Sequence, residues 1–140
     1  GKKLTLTVAD LMIPKSEIKS ITPNTSLNKI IGIITYNGIG CVCVQKNEKD
    51  EKLEGLITDG DLRRALETYK PELWANLRAN QIMTKKPITV SSSLMAIDAL
   101  KIMENNKNNI SVLPVVSESK KIITVIGIIR LHDIVQAGLK

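Results

Sequence analysis

A chain of 140 residues is the size of one compact domain, and halves of roughly 70 residues each lie near the lower limit for a self-sufficient core. Hydrophobic residues make up 43% and aromatics 2%, with one Trp, two Tyr and no Phe, so the core must be aliphatic. A formal net charge of +6 suits anionic partners, but Tyr36, Tyr69 and Trp74 stand apart, which excludes the stacking platform of a single-strand nucleic-acid binder and leaves nucleic acid a minor reading.

The opening GKKLTLTVADLM has no apolar h-region, and no run reaches the ~18 to 20 residues of a membrane span, so the chain reads as cytoplasmic. After it, IKSIT at 18–22 reads as extended and a helix is predicted over 27–36. The strand CVCV at 41–44 and the strand LEGLI at 53–57 flank a charged turn, KNEKDEK, at 46–52. Cys41 and Cys43 share one side of the first strand, a poor arrangement for a disulfide and too few ligands for zinc, so they read as small buried hydrophobes. A helix over 59–69 follows.

The segment KPELWANLR at 70–78 places Leu73, Trp74 and Leu77 at helical spacing and reads as a short packed helix, with Trp74 either an interface anchor or ordinary packing. ITV at 88–90 is a short strand. SSSL at 91–94 offers hydroxyl caps to a helix carrying Leu94, Ile97, Leu100 and Met103 on one stripe, stopped by NNKNN at 105–109. SVLPVV at 111–116 and ITVIGII at 123–129 read as strands joined by SESKK at 117–121. The last helix covers 131–137 and is closed by Gly138.

This order is written twice. GLITDGDLRRAL from Gly55 returns as GIIRLHDIVQAG from Gly127: Gly55 and Gly127 stand 72 positions apart, as do Asp61 and Asp133, while Met12 in VADLM and Met83 in ANQIM stand 71 apart. The second copy departs from the first where Arg130 replaces Thr58 and His132 replaces Gly60. Each unit reads as a short Met-containing helix followed by strand, helix, strand, strand and helix.

That repeated order resembles the CBS domain, named after cystathionine beta-synthase. The resemblance implies an α/β (α+β) tandem CBS pair, each half a small sheet with two helices packed on it, the halves related by a pseudo-two-fold. Residues 8–69 would form the first repeat, 70–78 the inter-repeat helix and 79–140 the second repeat. It further implies two clefts between the halves that take adenosine-type or other nucleotides. The family's most telling pattern is Gly, two apolar residues, Thr or Ser, two variable residues and Asp, which GLITDGD fills with Thr58 and Asp61.

Two physical readings of Thr58 and Asp61 stand together: a carboxylate accepting ribose hydroxyls beside a helix N-terminus that faces an anion, and a helix capping box. The ligand-binding set implied is Thr58, Asp61, Arg64, Thr84, Lys86, Leu113, Pro114, Arg130, His132 and Asp133. Arg130 would offer a planar fork to phosphate or carboxylate, so the second cleft would prefer a more anionic ligand. His132 is the sole histidine and reads as a polar residue lining a cleft or a helix start, not a metal ligand. Arg63, Arg64 and the lysines of TKKP at 84–87 have a second reading as solvated charges.

GLITDGDLRRALE, GIIRLHDIVQAG and the opening GKKLTLTVADLM are together similar to the regulatory end of bacterial arabinose 5-phosphate isomerases, which interconvert ribulose 5-phosphate and arabinose 5-phosphate on the way to Kdo. On that resemblance residues 1–7 are a linker from an N-terminal sugar isomerase domain that these residues do not supply, and the chain is a regulatory region with no catalytic residues, no metal and no required cofactor. The effector implied is an adenine nucleotide, CMP or CMP-Kdo. The partners implied are that effector, the isomerase domain and a second copy in a homodimer, with no membrane. The alternative is a purely structural oligomerisation module without a small-molecule ligand.

Overall fold

The computed structural model describes residues 5–105, 107, 110–117 and 121–140. Residues 1–4 of the expected linker, and parts of the expected helix stop at 105–109 and turn at 117–121, lie outside the described residues. In chain order the elements are α1 (Val8–Leu11), β1 (Ile13–Pro14), α2 (Leu27–Asn37), β2 (Cys41–Gln45), β3 (Leu53–Thr58), α3 (Asp59–Thr68), α4 (Ala79–Ile82), β4 (Thr84–Lys85), β5 (Val90–Ser91), α5 (Ala96–Asn105), β6 (Val112–Val116), β7 (Val125–Arg130) and α6 (Leu131–Gln136), with 3₁₀ turns at Lys15–Glu17 and Pro71–Asn76.

The contacts gather these elements into two compact units. One is the continuous stretch Ser16–Pro87, and the other joins the segment up to Lys15 to Ile88–Lys140. In the first, β2, β3 and β4 form a three-stranded sheet, antiparallel throughout. In the second the order is β1-β7-β6-β5, with only the β5–β6 pair parallel.

Each core is aliphatic. Ile30 and Ile34 of α2 meet Val42, Val44 and Ile57 of the sheet, together with Ala65, Leu77, Ala79 and Ile82. In the other unit Ala99, Leu100 and Met103 of α5 meet Leu113, Val115, Ile129 and Ile134, with Val8 of α1. Burying a residue such as Ile30 or Leu113 fully stabilises by about 1.5–3 kcal/mol. Cys41, Cys43 and Leu56 on one sheet, and Pro114 and Ile128 on the other, are buried on the faces away from these clusters. Burial on both faces is why CVCV and VLPVV are near-continuous apolar runs and not alternating ones. Neither cysteine is in a disulfide.

Helix ends follow local chemistry. Ser26 caps α2 by accepting from the Lys29 N–H at 3.4 Å, and Gly38 ends it in the left-handed region at φ 67, its N–H reaching the Ile34 carbonyl. The expected strand at 18–22 contracts to Ile21, which bridges Val44 in parallel. Asn37 is the reason: its Oδ1 accepts from the Lys19 N–H at 2.8 Å and its Nδ2 donates to the Lys19 carbonyl at 2.9 Å, removing both from any ladder. Trp74 packs on the first core from the 3₁₀ turn and donates its indole N–H to the Tyr69 carbonyl at 2.9 Å, the ordinary packing role.

The short helices α4 and α1 dock in matching ways. Ala79 and Asn80 donate their N–H groups to the carbonyls of Thr25 and Pro23, each at 2.9 Å. Val8 and Ala9 donate theirs to Leu94 and Ser92 at 2.8 and 2.9 Å. In this way the first-turn amides that a short helix leaves open are satisfied by the loop before the long helix of the same unit.

Candidate functional site

In the Ser16–Pro87 unit, β3 passes directly into α3 at Thr58. Thr58 is extended, at φ −105 and ψ 170, and its hydroxyl accepts from the Asp61 N–H at 3.2 Å while Asp61 Oδ2 accepts from the Thr58 N–H at 2.9 Å. This is the reciprocal capping box that a Thr three residues before an acid allows. The Thr58 hydroxyl also lies 3.1 Å from Asp61 Oδ2. Asp61 Oδ1 is held separately, by Arg64 Nη2 at 2.7 Å and the Thr84 hydroxyl of β4 at 3.0 Å. Asp61 is only 7% exposed, and both of its oxygens are engaged.

The rest of the first turn is small. The Asp59 N–H reaches the Gly40 carbonyl at 3.1 Å. Gly40 sits at φ 73, with Asp59 Oδ2 3.2 Å from where a Cβ would be, so no other residue fits this turn without strain. A Cβ on Gly60 would stand 3.4 Å from Arg64 Nη1 and 3.6 Å from the Thr58 hydroxyl, which places the glycine beside the guanidinium. Sequence reasoning missed Gly40 and Asp59; the Gly immediately before CVCV was the available signal. Lys86, exposed after β4, has the left-handed φ of 49, rare for a side-chain-bearing residue. Thus Thr58, Asp61, Arg64 and Thr84 come together, with Lys86 two residues beyond Thr84.

In the other unit β7 passes into α6 at Arg130. The Leu131 N–H meets the Ser111 carbonyl at 2.8 Å, as Asp59 meets Gly40. Asp133 again receives the backbone N–H three residues earlier, here from Arg130 at 2.9 Å. The expected free fork of Arg130 is instead engaged: Nη2 lies 2.7 Å from Asp133 Oδ1 and Nε 3.1 Å from Oδ2. The two charges compensate in a fork-to-carboxylate geometry, so the pair does not present a net cation. His132 is exposed on the first turn. Leu113 and Pro114 are fully buried in β6, with no side-chain surface for a ligand.

Among the described residues no three His, Cys, Asp or Glu side chains converge as metal ligands, and no helix is long and apolar enough to cross a membrane.

The CBS domain family matches residues 8–68 and again 79–140. The chain belongs to the CBS domain family. This tandem CBS pair is homologous to the C-terminal region of arabinose 5-phosphate isomerases. It is 37% identical over 141 residues to arabinose 5-phosphate isomerase KdsD of Francisella tularensis, covering 100% of this chain and 40% of that protein. With the Pseudomonas aeruginosa KdsD the identity is 34% over 139 residues, covering 99% and 40%. An uncharacterised protein of Chlamydia trachomatis is 35% identical over 139 residues, covering 99% and 41%. The CBS pair therefore spans about two-fifths of the length of these relatives.

Among solved structures, CBSX2 in complex with AMP superposes with a TM-score of 0.74 at 25% identity, covering 96% of each chain. The CBS domain of a bacterial CNNM/CorC family Mg2+ transporter, in complex with ATP, superposes at 0.77 with 19% identity, covering 99% of this chain and 90% of that one, a likeness of fold.

Proposed function

We propose that this CBS pair is the nucleotide-sensing regulatory region of an arabinose 5-phosphate isomerase, with the isomerase chemistry in the remainder of a longer cytoplasmic protein. The observation that carries the reading is the polar constellation at the β3–α3 turn, in a chain that aligns over its whole length with KdsD. Arg64, whose side chain is 64% exposed, rotates into solvent at little cost. Asp61 Oδ1 then accepts the vicinal hydroxyls of a ribose while Oδ2 keeps the helix cap. The released guanidinium and Lys86 would supply the positive charge for the phosphate.

A ribose-bearing, phosphate-bearing ligand fits this division of labour. Adenine nucleotides are supported by CBSX2, crystallised with AMP. CMP and CMP-Kdo are the further candidates, since a late product of the pathway would close a feedback loop on its first step. Calorimetric titration with AMP, ATP, CMP and CMP-Kdo tests the reading: saturable heat with at least one is expected, and no heat with any overturns it.

One observation favours the second reading, a module that only pairs subunits into a homodimer. Both Asp61 oxygens are already satisfied inside the unit, and among the described residues no buried side-chain polar atom lacks a partner. If Asp61→Ala and Asp133→Ala leave every nucleotide-induced thermal shift unchanged while sedimentation velocity still shows a dimer, the assembly role stands alone.

A further inference from the structure

We infer that nucleotide binding is confined to the β3–α3 turn, because at the β7–α6 turn Arg130 already occupies the carboxylate that a ribose would need; the inference rests on the nucleotide reading above. The two carboxylates are held by different kinds of partner. At Asp61, Oδ1 is shared by Arg64, three residues further along α3 and 64% exposed, and by the Thr84 hydroxyl. Both are displaceable without disturbing the cap, because the cap uses Oδ2. At Asp133, among the described residues, one residue supplies the hydrogen bonds to both oxygens: the Arg130 N–H and Nε hold Oδ2, and Nη2 holds Oδ1.

The Arg130 guanidinium spans both oxygens of Asp133 and so fills Oδ1, the oxygen that the hydroxyls of a ribose would need, and it is tethered in place by its own backbone hydrogen bond to the same carboxylate. Its side chain is 23% exposed and that of Asp133 13%, so opening the pair strands two opposite charges where water screens them poorly. The surroundings differ in the same direction. His132 stands where Gly60 brings bare backbone beside the Thr58 hydroxyl and the Arg64 guanidinium, and the residue matching Thr84 in the other unit is Ile13, which has no hydroxyl to offer.

Titration calorimetry of the full chain with AMP, ATP, CMP and CMP-Kdo, read as stoichiometry, tests this. The expected result is one site per chain for the nucleotide that binds, a tenfold or greater loss of affinity in Asp61→Asn, and affinity within twofold of the parent in Asp133→Asn. In Arg130→Thr/His132→Gly, which restores the residue types of the first turn of α3, a second site should appear. Two sites in the parent chain, equal losses from the two Asp→Asn changes, or a stoichiometry that stays at one in Arg130→Thr/His132→Gly would overturn the inference while leaving the nucleotide reading in place. Absence of binding by every nucleotide in the parent chain overturns the nucleotide reading itself, and this inference with it. Thermal melts of each variant separate a lost site from a lost fold.

Discussion

The two capping carboxylates are equivalent in position and unequal in partners, and the inequality predicts how each unit responds to losing an arginine. Arg130 and Asp133 are both largely shielded and share two side-chain hydrogen bonds, so Arg130→Ala should cost about 2 kcal/mol, the scale of hydrogen bonds to charged groups. Arg64→Ala removes a largely exposed guanidinium, and Asp61 keeps the Thr58 and Thr84 bonds, so the loss should stay within about 1 kcal/mol. Urea denaturation midpoints of the two variants should therefore separate clearly, with Arg130→Ala the lower. Thr58→Ala should cost about 1 kcal/mol through the lost N-cap bond, measured the same way. Thr58 and Asp61 were legible in the sequence because a Thr followed three residues later by an acid at a strand-to-helix boundary has few other uses. The Arg130–Asp133 pair was missed because an arginine was counted as a free charge, although its i, i+3 spacing to Asp133 across a helix start was there to be read.

At the scale of elements, Gly55 and Gly127 are explained by the methionines that the repeat placed 71 positions apart. A Cβ on Gly55 would lie 2.5 Å from Met83 Sδ and 2.9 Å from the Thr84 carbonyl, and a Cβ on Gly127 would lie 2.6 Å from Met12 Sδ and 2.7 Å from the Ile13 carbonyl. The methionine that ends each short helix thus lies over a glycine of the central strand, and the next residues, β4 or β1, run on as that strand's antiparallel edge. A sulfur can move aside, but the backbone carbonyl can do so only by displacing the edge strand. Gly55→Ala and Gly127→Ala should each destabilise by about 1–3 kcal/mol, the range for overpacking, and hydrogen exchange should show faster amides in β4 and β1 respectively. The strands and long helices were visible as apolar runs and helical stripes. The edge strands β1 and β4 were not, since two residues paired through backbone alone leave no periodicity, and the 18–22 segment looked extended because the Asn37 clasp that pins Lys19 is formed 18 positions away.

For the molecule as a whole, the sequence repeat and the compact unit are not the same object. The family pattern runs over 8–68 and 79–140, yet α1 and β1, which open the first repeat, join the unit built on the second, and α4 and β4 join the unit built on the first. The duplication could be counted in the sequence, but which body each short helix docks on could not, because both docking loops offer the same pair of carbonyls, those of Pro23 and Thr25 or of Ser92 and Leu94. A fragment cut at the repeat boundary, 8–69, would lack Leu77, Ala79, Ile82 and Met83, all of which pack in or against the core of the Ser16–Pro87 unit. Burial of Leu77 and Ile82 alone is worth about 3–6 kcal/mol at 1.5–3 kcal/mol per side chain, a large share of the stability of a domain this small. The fragment 16–87 retains every buried member of that cluster in one continuous chain. It should show a cooperative thermal transition in circular dichroism, whereas 8–69 should melt without one. Equal cooperativity in the two fragments would mean that α4 contributes little to the unit it docks on.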